Sequence, residues 1–135
     1  YRHFASKQAL LQQLCDLAVG RMLEAARSAE GLEALVDLHV AFVVREQPLI
    51  RVWLREQWSL DKEARRASNV QLRSYENVWR EALTARRADL SPAEVALVVS
   101  AVLGMLNTTS HLESPLPAEQ RRTALQDLAL AALLS

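Results

Sequence analysis

The side chains in this chain that could do chemistry are few and dispersed. Its three histidines are His3, His39 and His111, and its single cysteine is Cys15. No metal-ligand spacing such as His-Glu-x-x-His or Glu-x-x-His joins them on one helix. No nucleophile motif, phosphate-binding glycine loop or dinucleotide fingerprint occurs either. The sequence therefore predicts no enzyme, no cofactor and no metal, and leaves an active site assembled from distant residues as the alternative.

The first residues are candidates for binding an anion. Tyr1, His3 and Lys7 place polar or cationic groups around Ser6, which is predicted to cap a helix. The free N–H groups of a first helical turn attract anions such as phosphate. The same spacing also fits an ordinary capped helix with a few polar surface groups.

The pattern of apolar residues predicts a single all-α domain. Half of the 135 residues are hydrophobic and only three are glycine and four proline, which is typical of helical proteins. No strand-like alternation, repeat or long linker interrupts the helical spacing. We expect six helices packed as an orthogonal bundle. They are predicted at residues 7–29, 32–46, 48–60, 61–88, 91–112 and from 117 onward, with Gly31 breaking the first from the second.

The middle helices carry a candidate cavity for an apolar or aromatic ligand. Aromatic residues make up only 5% of the chain, yet Trp53 and Trp58 lie five apart, and Tyr75 and Trp79 share a helical face. Plain core packing is the alternative to a cavity wall. The ligand-binding residues predicted from this pattern are Met22, His39, Phe42, Glu46, Trp53, Trp58, Arg73, Tyr75, Trp79 and Asn107.

Four of these residues are candidate polar anchors, and each has an ordinary structural alternative. His39 lies beside an apolar stripe, so it is either a hydrogen-bonded core histidine or a ligand donor. Asn107 needs partners if buried, either backbone groups or a ligand. Arg73 and Glu46 are anchors only if they face inward, since charges on a helix are usually solvated. Cys15 is interpreted as a small buried hydrophobe, because no histidine is spaced to activate it.

The C-terminal third predicts a dimer. A capping box formed by Ser91 and Glu94, with Pro92 in the first turn, opens a helix without charge from Val95 to Leu106. That run is too short for a membrane span, which needs about 20 residues. The last helix is apolar on two sides, so both helices should pair with a second copy as a four-helix bundle. The predicted interface residues are Val95, Val98, Val99, Val102, Leu106, Leu125, Leu128, Ala129 and Ala132.

The charge balance limits which part of the protein can touch DNA. Sixteen basic and sixteen acidic residues give a formal net charge of zero, whereas DNA-binding domains usually carry a basic excess. No signal peptide is visible, which predicts a cytoplasmic protein. The chain begins at Tyr1, inside what looks like a motif, so we expect the natural N-terminus to lie upstream.

That motif carries a family resemblance. Residues 1–11 read YRHFASKQALL and resemble the signature Tyr-x-His-Phe-x-Ser-Lys-x-x-Leu-Leu of tetracycline-repressor-like (TetR-family) regulators. The resemblance implies that Tyr1, His3 and Lys7 contact DNA phosphates. It also implies that residues 1–7 are the remnant of a helix-turn-helix domain. Residues 8–135 would then be a ligand-binding and dimerisation domain.

The function expected from residues and resemblance together is that of a ligand-responsive transcriptional repressor. Its partners would be a second copy of itself, operator DNA through the N-terminal domain, and a small effector. The alternative is a helical protein–protein interaction module without a ligand, which would use the two apolar C-terminal helices to bind another chain.

Overall fold

The protein is a bundle of α-helices. The computed structural model describes the backbone of residues 2–56 and 62–135, and the side chains of those residues except 2–6, 64, 65 and 68. Within these ranges there is no strand, which confirms the all-α prediction. The helices are α1 (Arg2–Ser28), α2 (Leu32–Arg45), α3 (Gln47–Glu56), α4 (Lys62–Arg86), α5 (Pro92–Thr108) and α6 (Ala118–Leu134), with a 3₁₀ turn at Thr109–His111 between the last two.

The start of α5 follows the predicted capping box. The Ser91 hydroxyl accepts a hydrogen bond from the Glu94 N–H at 3.2 Å, and a Glu94 carboxylate oxygen accepts one from the Ser91 N–H at 3.2 Å. Pro92 occupies the first helical position, where its missing N–H costs nothing. This end of α5 is therefore fixed by local sequence.

The start of α1 differs from the prediction. The helix begins at Arg2, so Ser6 lies inside it and is not the cap. Arginine and alanine are good helix formers, and nothing between Arg2 and Ser6 breaks a helix. The domain boundary predicted at residue 7 consequently falls within one continuous helix.

Gly31 separates α1 from α2 as predicted, but it belongs to the second helix. Its φ of 95° lies in the region that favours glycine. Gly31 is the N-cap of α2, whereas α1 already ends at Ser28. After this break the chain continues as α2, the most central helix of the bundle.

That helix, α2, packs against each of the other five. Leu32, Val36 and Val40 are completely buried along it. Trp79 and Leu83 of α4 are equally buried, as are residues of α5 and α6. The core therefore surrounds α2. This helix is short, with 14 residues compared with 27 in α1.

The faces of α5 and α6 that pack against this core include most of the residues predicted to form the dimer interface. That part of the prediction was wrong. Val98 and Leu125 are half-buried, and only Leu128 and Ala132 of the predicted set are exposed. The interior positions contact the chain's own α2, α4 and α6, so they offer no surface to another copy. The predicted interface residues buried in this way are Val95, Val99, Val102, Leu106 and Ala129.

The opposite face of α5 is exposed and carries small residues. Gly104 lies on this face, and within the described part of the chain a Cβ at Gly104 would have open space around it. By length and composition, the 20 residues Pro92–His111 are apolar enough to cross a membrane, whereas the uncharged run from Val95 to Leu106 predicts a segment too short for this. Core helices of soluble proteins share these properties, and one face of α5 is such a core face.

Candidate ligand-binding site

Helices α1 to α4 and the end of α5 line a half-open pocket of about 240 Å³, here called the inner cavity. Its walls are mostly apolar, which suits a small organic ligand. The lining residues are Cys15, Ala18, Val19, Met22, His39, Phe42, Leu49, Ile50, Trp53, Leu54, Leu72, Tyr75, Glu76 and Asn107.

One wall of the inner cavity holds a three-residue hydrogen-bond chain. His39 Nε2 lies 2.8 Å from Asn107 Oδ1, and His39 Nδ1 lies 2.8 Å from the Tyr75 hydroxyl. A carbonyl oxygen can only accept, so Nε2 carries the proton and Nδ1 accepts from the Tyr75 O–H. His39 is therefore a hydrogen-bonded core histidine whose ring also lines the inner cavity, and its role as a donor to a ligand stays a prediction.

Burial keeps this chain uncharged at neutral pH. It lowers the pKa of His39 from 6.5 to about 4, although the hydrogen bond with Asn107 acts in the opposite direction. Burial also raises the pKa of Tyr75 far above neutrality. The one carboxylate in the lining, Glu76, is bonded to Arg80 at 3.2 Å. The wall thus offers polar contacts without a free charge.

Cys15 behaves as the sequence predicts. Its side chain is buried, and burial together with the neighbouring Asp16 carboxylate raises the pKa of the thiol to about 11. A protonated thiol is a weak nucleophile. Cys15 therefore contributes an apolar surface to the cavity wall.

The other predicted ligand-binding residues divide by position. Met22, His39, Phe42, Trp53, Tyr75 and Asn107 line the inner cavity. Trp79 does not, because it is completely buried behind His39, with the two rings edge-on at 5.9 Å.

Three further predicted ligand-binding residues do not line the inner cavity in the described structure, and their contact with a ligand stays a prediction. Arg73 is exposed on α4 because its position on that helix faces away from the bundle. Glu46 lies outside the inner cavity, in a neighbouring groove. Trp58 lies outside the described residues.

That neighbouring groove, of about 510 Å³, is here called the outer groove. It opens on the surface between α1, α2 and the start of α3. The outer groove and the inner cavity share four lining residues, Ala18, Met22, Phe42 and Leu49. Sequence reasoning missed it, although the spacing of Leu14, Leu17 and Arg21 along α1 already indicated one helical face.

Helix α3, which forms one wall of the inner cavity, is hydrogen-bonded to the 3₁₀ turn that directly follows α5. The Ser110 carbonyl oxygen accepts hydrogen bonds from Arg51 Nη2 at 2.7 Å, Arg51 Nε at 3.2 Å and Gln47 Nε2 at 3.0 Å. Ser110 itself is completely buried. Because 59 residues separate Arg51 from Ser110, no local pattern in the sequence could reveal this connection.

Replacing Arg51 with methionine should lower the free energy of unfolding by about 1 kcal/mol. The variant loses two hydrogen bonds to a buried carbonyl, while Gln47 still supplies one. The matched control is Arg55→Met on the same helix, where only an exposed pair with Glu56 is lost and the change should stay below about 0.5 kcal/mol. Equal effects of the two variants in urea unfolding would contradict the role given to Arg51.

The described part of the structure does not test the predicted phosphate-binding residues. Tyr1 lies outside the described residues, and the backbone of His3 is helical while its side chain lies outside the description. Lys7 is exposed on α1. Their contact with DNA therefore stays a prediction.

Comparison with known proteins decides the family. Residues 25–111 match the family model described as "Tetracyclin repressor-like, C-terminal domain". The chain belongs to this family. The match lies outside residues 1–11, so it supports the resemblance seen there with separate residues. Regulators of this kind are transcription factors with a ligand-binding C-terminal domain, and they are typically not enzymes.

A solved structure supports the same conclusion. The crystal structure of a TetR family transcriptional regulator, PfmR from Thermus thermophilus, superposes with a TM-score of 0.74 at 26% identity. The match covers 97% of this chain and 79% of that one. A search of curated proteins found no match. Most of the residues that line the inner cavity lie within the range matched by the tetracyclin repressor-like domain.

Proposed function

We propose that this protein is a ligand-responsive transcriptional repressor that acts in the cytoplasm as a homodimer. Its effector, a small apolar or aromatic molecule, binds in the inner cavity, and DNA is bound by the segment around Tyr1, His3 and Lys7 together with residues preceding it. The observation that carries the proposal is an apolar cavity with an uncharged hydrogen-bonding wall inside a domain of a regulator family.

Helix α1 connects the inner cavity with the N-terminal segment that is proposed to bind DNA. Helix α1 contributes Cys15, Ala18, Val19 and Met22 to the cavity wall and continues without interruption to Arg2. A rigid helix that is displaced at its middle also moves its end. Effector binding would therefore change the position of the N-terminal DNA-binding segment and its affinity for an operator.

A second connection runs from the inner cavity to the α5 end. Helix α3 supplies Leu49, Ile50 and Trp53 to the cavity wall and holds the Ser110 carbonyl through Arg51. Asn107, near the end of α5, lies in the cavity wall itself. An effector that shifts α3 would therefore also shift the end of the helix proposed to form the dimer.

The experiment that tests this function fills the cavity. DNA fragments that the intact protein binds are selected from a random pool, and a compound panel is screened for loss of the mobility shift. Ala18→Trp, which places an indole between the inner cavity and the outer groove, should keep DNA binding and lose the response to the active compound by at least about tenfold, or about 1.4 kcal/mol. The control is Ala85→Trp, at an exposed position of α4 that lines neither space and lies far along the chain from Lys7. An unchanged response in Ala18→Trp would contradict the proposal.

The dimer is proposed to use the exposed faces of α5 and α6. Both faces carry small and apolar residues that allow two helices to approach closely. Leu97 is 70% exposed and Leu128 is 52% exposed, an arrangement that a second copy would cover. The proposed interface residues are Leu97, Ala101, Gly104, Ala124, Leu128, Ala131 and Ala132.

Replacing Gly104 with arginine should convert the dimer into a folded monomer. A Cβ at Gly104 meets nothing within 4 Å among the described residues, and a long side chain at this exposed position can extend into solvent, so the protomer itself should stay folded. Across a two-fold axis, the added side chains would hold the two faces apart and bring like charges together. Sedimentation should show a mass halved relative to that of Asn77→Arg, an exposed control on α4. A dimeric Gly104→Arg protein would place the interface elsewhere, and a monomeric wild type would contradict the proposed homodimer.

A further inference from the structure

The outer groove and the inner cavity meet at Ala18, Met22, Phe42 and Leu49, so one elongated molecule can occupy both. Their chemistry differs at the two ends. The inner cavity is lined mainly by apolar side chains, whereas the outer groove is lined by two arginines beside half-exposed Leu14 and Leu17. A molecule that spans the junction would meet an apolar interior at one end and solvated charges at the other.

The outer end has an excess of positive charge. Arg21 and Arg45 both line the outer groove, together with a single carboxylate, Glu46. Arg45 is bonded to Glu46 at 3.4 Å, and Arg21 has no ion pair with the described residues. The whole chain has a formal net charge of zero, so this local excess is a property of the groove and not of the protein as a whole.

The inner end gives an anionic group no partner. The described lining contains no lysine or arginine, both ring nitrogens of His39 are already hydrogen-bonded, and Glu76 is itself an anion that accepts from Arg80. A carboxylate placed there would lose water without gaining a cationic partner, which is unfavourable. The uncharged part of an anionic ligand therefore fits the inner cavity better than its charged head.

We infer that the effector is an amphipathic carboxylate, with its apolar tail in the inner cavity and its carboxylate beside Arg21 in the outer groove. The inference rests on the proposed effector site and adds the class of the ligand. A guanidinium pairs well with a carboxylate through two parallel N–H donors. Glu46 in the same groove favours a singly charged carboxylate over a doubly charged phosphate, because like charges repel.

Three probes with one tail and different heads test the inference. Decanoate, decanol and decyltrimethylammonium are titrated into the full protein by calorimetry, each below its micelle-forming concentration. Decanoate should bind about fivefold more tightly than decanol, because one exposed ion pair contributes up to about that factor in affinity. The ammonium should bind most weakly. Arg21→Gln should remove the advantage of decanoate and leave decanol unchanged. The matched control, Arg27→Gln, lies on the same helix outside both spaces and should change nothing.

The outcomes separate the ligand class from the site. Equal binding of decanoate and decanol, tighter binding of the ammonium, or equal losses of decanoate and decanol in Arg21→Gln would overturn the carboxylate assignment. The effector site would still stand if Ala18→Trp abolished binding of whichever probe binds. Failure of all three probes would overturn the inference, and the proposed function would then depend on the response of the Ala18→Trp variant in the mobility shift.

Discussion

Trp79→Ala should lower the free energy of unfolding by about 3–5 kcal/mol, the usual cost of removing a fully buried tryptophan. Trp79 has no exposed surface, and the centroid of its ring lies 5.9 Å from that of His39 and 6.4 Å from that of Tyr75. Thermal unfolding at a fixed protein concentration should shift the midpoint by about 10–15 °C. The structure thus gives Trp79 a supporting role, behind the residues that face the ligand.

Trp53→Ala is the matched comparison that distinguishes a tryptophan that stabilises the fold from one that binds the effector. Trp53 is half-buried and lines the inner cavity. Because one side of its ring faces open space, it makes fewer packing contacts, so truncation should cost clearly less stability. The same change should weaken effector binding, since an aromatic wall is removed. A Trp79→Ala protein as stable as the wild type, or a Trp53→Ala protein that is the less stable of the two, would contradict this division.

Acid should destabilise the protein through His39 before it protonates most carboxylates. The unfolded chain takes up a proton near pH 6.5, whereas burial delays protonation of His39 in the folded protein to a pKa of about 4. The stability that comes from an uncharged His39 is therefore complete above pH 6.5 and falls as the pH falls toward 4. The loss should reach roughly 3 kcal/mol, since each pH unit in this window contributes about 1.4 kcal/mol.

His39→Gln isolates this effect. Glutamine does not titrate, and its amide can still donate to Asn107 and accept from Tyr75. Urea unfolding from pH 7 to pH 4 should show a decline in the wild type that exceeds the decline in the variant by roughly 3 kcal/mol. The exposed carboxylates of Glu33, Asp89 and Glu94, whose pKa values are lowered by Arg86, Arg87 and Ser91 respectively, are present in both proteins and cancel. Parallel pH profiles would show that His39 is not buried in its neutral form.

Local patterns in the sequence predicted the helices and part of the cavity. Caps and breakers act over a few residues, so the capping box at Ser91 and the break at Gly31 could be located from sequence alone. Helical spacing also brought His39, Phe42 and Tyr75 to an inward face. Their hydrogen-bond partners could not be predicted, because the spacing of residues along one helix does not indicate which helices pack together.

The faces of uniformly apolar helices could not be predicted. Helix α5 carries apolar residues on every side, so periodicity could not decide whether Val99 or Leu97 faces the core. The structure buries Val99 and exposes Leu97, which reverses the predicted interface. The ties from His39 to Asn107 and from Arg51 to Ser110 join residues 68 and 59 positions apart. Only the folded chain reveals such contacts.

The most direct test of the account is a crystal structure of the intact protein with the compound that changes its DNA binding. The account predicts electron density for that compound in the inner cavity, in contact with Trp53 and Met22 and within hydrogen-bonding reach of Asn107. Density confined to the protein surface or to the α5–α6 face, with the inner cavity unchanged, would contradict it.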